Sequence, residues 1–298
     1  MSQLSTIQLS IGQVIRNRMA AYSQLAKVRL SFLVVFSSVM AYLFEGVSYS
    51  WVDLFLLATG GFLVTASANT INQILEKDTD KLMARTQNRP LPSGELQVLE
   101  ATVFAGVLGV GGIALLGMFF NPLSGLLASL SLLIYAFIYT PFKKISPASV
   151  FIGAFPGALP LLIGSTAAAG HITIAGFSMF IIQFLWQMPH FWAIAWLLND
   201  DYAKGGFTLL PAGSGKSRDA AFQILPYNVL LLIASALPFF IGVSGYISLI
   251  VAFICGFAFL YTAIQLCIDL SDKSAKRLMF ASFFYIPVVQ IALVLDKI

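Results

Sequence analysis

The stretch Asn69–Gly94, NTINQILEKDTDKLMARTQNRPLPSG, closes an apolar run with a dense mixture of both charge signs. Asn72, Glu76, Asp78 and Asp80 are interleaved there with Lys77, Lys81, Arg85 and Arg89. The surrounding chain is poor in charge: 58% of its 298 residues are hydrophobic and 10% charged, at a mean hydropathy of +0.87. Soluble domains carry roughly 25% charged residues. The composition therefore describes an integral membrane protein, and the charged stretch is where the chain leaves the bilayer.

Working outward from it, polar punctuation divides the sequence into apolar runs of the length a membrane span needs, about 20 residues. Nine spans are expected: Leu30–Phe44, Val52–Ile71, Val98–Met118, Pro122–Tyr139, Pro147–Ala168, Ile172–Leu198, Ala220–Ile241, Tyr246–Ile268 and Leu278–Leu295. The fold class is thus an all-α polytopic membrane bundle. Residues 1–29 form a cytoplasmic N-terminal segment and 30–298 a single transmembrane domain. Residues 1–29 lack the short apolar core of a removable signal peptide, so the first span is its own insertion signal. With the N-terminus inside and the spans alternating, 16 of the 17 Lys and Arg fall on the cytoplasmic side, leaving Lys297 outside. That one-sidedness follows the positive-inside rule. It accounts for the net charge of +4 without a nucleic-acid partner and puts the C-terminus outside. Cys255 and Cys267 lie about 18 Å apart along one helix, too far to bridge each other. Gly153, Gly157 and Gly164 in the fifth span allow close helix approach.

Two long loops, about 72–97 and 199–219, face the cytoplasm and carry acids. Leu91-Pro92-Ser93-Gly94 in the first echoes Leu210-Pro211-Ala212-Gly213 in the second, four spans on. A four-helix pseudo-repeat explains the echo and brings the loops to a common cavity. Asn72, Glu76 and Asp80 are spaced i, i+4, i+8. On a helix continuing from the second span they project to one side. Two carboxylates and an amide on one face suit magnesium, which binds through one or two carboxylates and completes its shell with water and substrate phosphate. Lys77, Lys81 and Arg85 repeat the spacing on the next face, within reach of phosphate charge. A solvated helix end held by weak surface ion pairs fits the same letters equally well. Asp200 and Asp201 offer metal-binding chemistry in the second loop, with Tyr202 and Lys204 following. Tyr139 and Lys143, four apart, stand where the fourth span exits to the same face; they also suit a plain interfacial anchor.

Taken together these motifs resemble the UbiA superfamily of intramembrane aromatic prenyltransferases, and most closely its haem-farnesylating branch. The resemblance rests on Asp78-Thr79-Asp80 with Met83, Arg85-Thr86 and Asn88-Arg89-Pro90-Leu91; on Tyr139-Thr140-Pro141 with Lys143-Lys144; and on Pro189-His190-Phe191-Trp192 leading to Asp200-Asp201-Tyr202 and Leu210-Pro211. Glu76 replaces the superfamily's usual Asp, and Leu197 stands where an earlier Asp of the second motif is usual. The resemblance implies transfer of the farnesyl group of farnesyl diphosphate to the 2-vinyl group of haem b, with addition of water, giving haem O and diphosphate. It implies Mg2+ held by Asn72, Glu76, Asp80, Asp200 and Asp201. Lys81, Arg85, Arg89, Tyr139, Lys143 and Lys204 then bind diphosphate, and Asp80, Lys143 and Asp201 are the catalytic set. Membrane lipid and haem-handing or haem-receiving membrane proteins are the partners implied, in the cytoplasmic (inner) membrane. A quinone acceptor is the alternative within the superfamily.

His190 lies within the sixth span, near enough to its cytoplasmic end to face the cavity. An intramembrane histidine is a functional candidate, here as a haem ligand or as a hydrogen-bonding partner of a neighbouring helix. His171 falls in an outer loop. A secondary transporter is the competing class. Transporters gather polar groups near the midplane, whereas here the acids gather at one face.

Overall fold

The computed structural model describes residues 10–46, 48–211 and 215–298, and among these no strand is formed. The helices are α1 (Ile11–Leu25), α2 (Val28–Phe44), α3 (Trp51–Asp80), α4 (Val98–Phe119), α5 (Pro122–Leu133), α6 (Thr140–Phe142), α7 (Ser149–Ala169), α8 (Ile174–Leu197), α9 (Asn199–Lys204), α10 (Arg218–Phe222), α11 (Ile224–Ser235), α12 (Leu237–Phe240), α13 (Tyr246–Asp269) and α14 (Asp272–Leu295). A π-helical turn, Ile134–Tyr139, joins α5 to α6. Seven rods are long and apolar enough to cross a membrane: α3, α4, α5 with its continuation to Phe142, α7, α10 through α12, α13 and α14. The pair α1–α2, bent by 47°, makes an eighth. The sixth expected span is a 24-residue helix, α8, which carries Gln183, Gln187, Pro189 and His190 and is not among these seven.

The exposed surface is apolar in stripes that run whole helices, as on α13, where Ile247, Ile250, Ile254, Phe257, Tyr261, Ile264 and Ile268 all face outward. Such a stripe is tolerable only against lipid. The interior mixes large side chains, Trp192, Trp196 and Phe259 among them, with small residues and buried polar groups. Helix α3 packs along α4, α13 along α14, and α7 along both α2 and α8. Gly109 and Gly112 of α4 abut Ser67 and Val64 of α3. On α7 the three expected glycines each meet a different neighbour. A Cβ on Gly153 would strike the Tyr139 ring at 2.7 Å, one on Gly157 the Gln187 amide at 2.0 Å, and one on Gly164 the Ser38 carbonyl oxygen at 1.9 Å. Pro160 has no N–H for the Pro156 carbonyl, and the Ser131 hydroxyl donates to that oxygen at 3.1 Å instead.

Two features bring this frame to the charged end. Helix α3 runs 30 residues, roughly 45 Å, so its last turns project past a hydrocarbon core of about 30 Å. Helix α1 and the segment after α3 form a small core of their own from Ala21, Leu25, Leu91, Leu96 and Ala101. The Gln73 amide donates to the Leu25 carbonyl at 2.9 Å, tying the end of α1 to α3. Leu91 and Leu210 of the echoed motif are both buried, while Ala212 and Gly213 lie outside the described residues.

Candidate active site

The helix of α3 persists through Asp80, so Asn72, Glu76 and Asp80 do share one face, and all three are buried. Each is held by a different element. The Asn72 amide donates to Thr140 Oγ1 at 3.2 Å, and that hydroxyl donates to the Tyr135 carbonyl at 2.8 Å. Glu76 is ion-paired with Lys143. Arg89 Nη1 lies 2.7 Å from Asp80 Oδ2, with Asp80 only 1% exposed. Asp80 Oδ1 is buried without a hydrogen-bond partner. A carboxylate oxygen left in that condition costs free energy, and an oxygen-seeking cation would supply the missing partner. The donor set of two carboxylates and an amide fits magnesium on this ground.

The π-turn explains why Lys143 reaches this face. Pro141 cannot donate to the Phe137 carbonyl, and the chain takes up a π-turn immediately before it. Thr140, the residue after the turn, bonds back to Tyr135 through both its N–H and its hydroxyl. Lys143 Nζ then lies 5.1 Å from the centre of the Tyr139 ring and 5.3 Å from that of Phe207, within cation–π range of both. The Tyr139 ring rests against Gly153 of α7.

Two members of the site escaped the sequence reading. Lys27, in the bend between α1 and α2, has a left-handed backbone at φ 45°. Its Nζ donates to Asn72 Oδ1 at 3.5 Å and is in electrostatic reach of Arg89, Lys143, Glu76 and Asp80. In the sequence it was one of four basic residues ahead of the first span, indistinguishable from topology charges. Phe207, buried over Lys143, follows the second acidic pair with no pattern to mark it.

Several expected positions are corrected. Asp200 and Asp201 do not join the metal face, and among the described residues no three His, Cys, Asp or Glu side chains cluster as a metal site. Asp201 instead accepts from the backbone N–H of Ala84 at 2.8 Å and of Arg85 at 3.4 Å, amides left free where α3 ends. Partial desolvation raises its pKa, but those amides, with Lys204 and Arg85 nearby, hold it below the ordinary 3.8. Asp200 is exposed and accepts from Asn199 at 3.2 Å. Leu197, in the place of a further acid, packs against the main core. Lys81 pairs with Asp78 at 3.5 Å on the exposed side of α3, away from the buried face. Arg85 is exposed, its guanidinium 5.9 Å from the centre of the Tyr202 ring, and Lys204 is exposed 3.8 Å from Asp201. His190 turns toward α14: its ring stacks on Trp186 at 4.6 Å and Nδ1 lies 2.7 Å from Ser282 Oγ. His171 is exposed beside the Ala169 carbonyl.

The bundle of long, lipid-facing helices thus carries buried carboxylates and cations that converge at one end of it. The UbiA prenyltransferase family model matches residues 33–286, and the chain belongs to that family. It is 46% identical to the protoheme IX farnesyltransferase of Cytophaga hutchinsonii, over 93% of this chain and 98% of that one. It is 44% identical to the enzyme of the same name from Christiangramia forsetii, over 93% of each. Among solved structures, a digeranylgeranylglyceryl phosphate synthase superposes at a TM-score of 0.78 with 22% identity, covering 94% of this chain and 98% of that one. A UbiA homologue from Archaeoglobus fulgidus bound to GPP and Mg2+ superposes at 0.65 with 16% identity, covering 92% and 99%.

Proposed function

We propose that this protein transfers the farnesyl group of farnesyl diphosphate to the 2-vinyl group of haem b, with addition of water, to give haem O and diphosphate. The observation that carries the diphosphate half is the face of Asn72, Glu76 and Asp80, with its unpartnered Asp80 oxygen, ringed by Lys27, Arg89 and Lys143. The haem half is supported by the relatives of that name, which match over nearly their whole length.

Magnesium held by Asn72, Glu76 and Asp80 would neutralise diphosphate charge and stabilise the leaving oxygens as the allylic C–O bond breaks. Arg89 and Lys143 now pair with the carboxylates. With those carboxylates engaged by a metal, Arg89 and Lys143 would be free to bind the outer diphosphate oxygens, where charge builds in the transition state. Lys27 joins them from the bend before α2. The Tyr139 and Phe207 rings flank Lys143, and an apolar surround of this kind favours meeting of the allylic cation with the electron-rich vinyl carbon over quenching by water. The new C–C bond leaves a carbocation on the former vinyl carbon beside the porphyrin ring, and water adds there and gives up a proton to the released diphosphate. No enzyme nucleophile enters. Asp201 acts through the segment it holds, keeping Arg85 and the turn after α3 in register. His190, expected as a haem ligand or as a hydrogen-bonding partner of a neighbouring helix, is buried against Trp186 with Nδ1 2.7 Å from Ser282 Oγ, which supports the second role. The protein is placed in the cytoplasmic membrane, N-terminus and site inside.

The deciding experiment is conversion of haem b by purified protein with farnesyl diphosphate and magnesium, with the product read by mass. Asp80→Ala is expected to lower haem O formation about a hundredfold or more while the protein still inserts and folds. Undiminished haem O from that variant would refute the site.

A further inference from the structure

We propose that the groove between α1 and the first turns of α4 is a phospholipid site. It takes an acyl chain along its apolar walls and a zwitterionic headgroup of the phosphoethanolamine kind at its rim, the phosphate on Arg18 and the ammonium on Glu100.

The groove has a volume of about 740 Å3 and is lined by Met19, Tyr22, Leu99, Val103 and Phe104, with Glu100 as the charged member of the lining. That is the size of a ligand cleft, roughly 300–1,000 Å3. Leu99 and Val103 begin an outward stripe on α4 that continues through Val107 and Val110, one face of a helix turned to lipid. Leu99 is 72% exposed, and Met19 on the other wall is 69% exposed. The groove is thus continuous with the face that the bilayer covers, and hydrocarbon is what its walls meet. Helix α1 supplies its wall through its own pattern. Ile11, Val14, Ile15, Met19 and Tyr22 fall on one side at helical spacing, with Gln13, Arg16, Asn17 and Gln24 on the other. A capping box between Ser10 and Gln13 starts the helix, and buried Ala21 and Leu25 seat its end. Ile11, Val14, Ile15 and Met19 are left exposed. An amphipathic helix of this make sits at the boundary between headgroups and acyl chains.

The headgroup is read from the charges at the rim. Arg18 Nη1 lies 3.1 Å from Glu100 Oε2, and both side chains are partly exposed. Glu100 Oε2 also accepts from the Gln97 N–H at 3.0 Å. A guanidinium has five N–H donors and a carboxylate two acceptor oxygens, so the pair leaves capacity on both partners. A phosphodiester answers the first and a primary ammonium, with three N–H donors, the second. A choline headgroup has no N–H and answers only Arg18. A headgroup with negative charge alone meets Glu100 as a like charge.

Native mass spectrometry of the purified full chain reads the lipid it retains from nanodiscs of equal parts phosphatidylethanolamine, phosphatidylcholine and phosphatidylglycerol. Phosphatidylethanolamine is expected to be retained about tenfold over either of the others, the weight of one charge-assisted contact. Glu100→Gln removes the charge but keeps a side chain that completes the α4 capping box. It is expected to erase the preference over phosphatidylcholine while the unfolding temperature holds. Val103→Trp fills the groove, leaves both charges in place and is expected to release the lipid. In the unmodified chain, a phosphatidylethanolamine with a photoreactive acyl chain is expected to label Met19, Leu99 or Val103. Equal retention of the three lipids, or a preference for phosphatidylglycerol, would overturn the headgroup assignment, as would a preference that survives Glu100→Gln. Labelling spread evenly over the lipid-facing helices, or retention unchanged by Val103→Trp, would overturn the groove.

Discussion

Lys27 is held in a conformation that costs stability. A left-handed backbone at a residue with a Cβ is unfavourable by about 1 kcal/mol, and Lys27 also packs its ammonium close to Arg89 and Lys143. Strain of this kind persists where surrounding structure and function over-determine it. Replacing Lys27 by Gly and by Ala separates the two effects, because both remove the ammonium and only Gly relieves the backbone. Lys27→Gly is expected to be about 1 kcal/mol more stable than Lys27→Ala by thermal unfolding. Both should raise KM for farnesyl diphosphate about tenfold, the loss of one charge-assisted contact, with KM for haem unchanged. Equal KM values for the prenyl substrate in variant and parent would remove Lys27 from the site.

Among the elements, the site depends on contacts that join segments far apart in sequence. Asp201 clamps the turn after α3 through the amides of Ala84 and Arg85. In Asp201→Ala those two amides should exchange with solvent at least tenfold faster, and unchanged protection would show that the clamp does not operate. Because the carboxyl is held below its ordinary 3.8, the clamp is fully made above that pH and is lost as pH falls through the lowered value. On the opposite side of the bundle, Gly164 sets how closely α7 approaches α2. Its missing Cβ would fall 1.9 Å from the Ser38 carbonyl oxygen, a backbone atom that cannot swing away. Gly164→Ala is therefore expected to cost about 1–3 kcal/mol, measured as a lowered unfolding temperature in detergent.

For the molecule as a whole, the charged end is a set of ion pairs awaiting a ligand that separates them. Magnesium with a non-hydrolysable farnesyl diphosphate analogue should stabilise the protein by about 2.7 kcal/mol at a hundredfold excess over Kd. The analogue should do much less in the presence of a chelator. Equal stabilisation with and without magnesium would mean that the buried carboxylates do not hold a metal. The same geometry argues against a transporter: the converging charges lie at the end of α3 and the start of α2, and what crosses the middle of α8 is neutral, Gln183, Gln187 and His190.

The order of the apolar helices and the shared face of Asn72, Glu76 and Asp80 were decided by local sequence. Each depends on one property, either the length of an apolar run or the 3.6-residue period, and neither needs a partner element to be read. The resemblance carried by the motifs from Asp78 to Pro211 added the chemistry. What only the tertiary structure decided is which charged groups meet. Asp201 was read as a metal ligand because a carboxylate at a helix end carries no mark of its partner; folding set it against two orphan amides. Lys27 looked like a topology charge until the bend before α2 aimed it at Asn72. His190 looked like a cavity residue until α14 packed against α8 and placed Ser282 at its ring nitrogen. The stretch Asn69–Gly94 thus determined where the chemistry is, and long-range packing determined which of its neighbours take part, because ion pairs and hydrogen bonds between distant segments leave no period in the sequence.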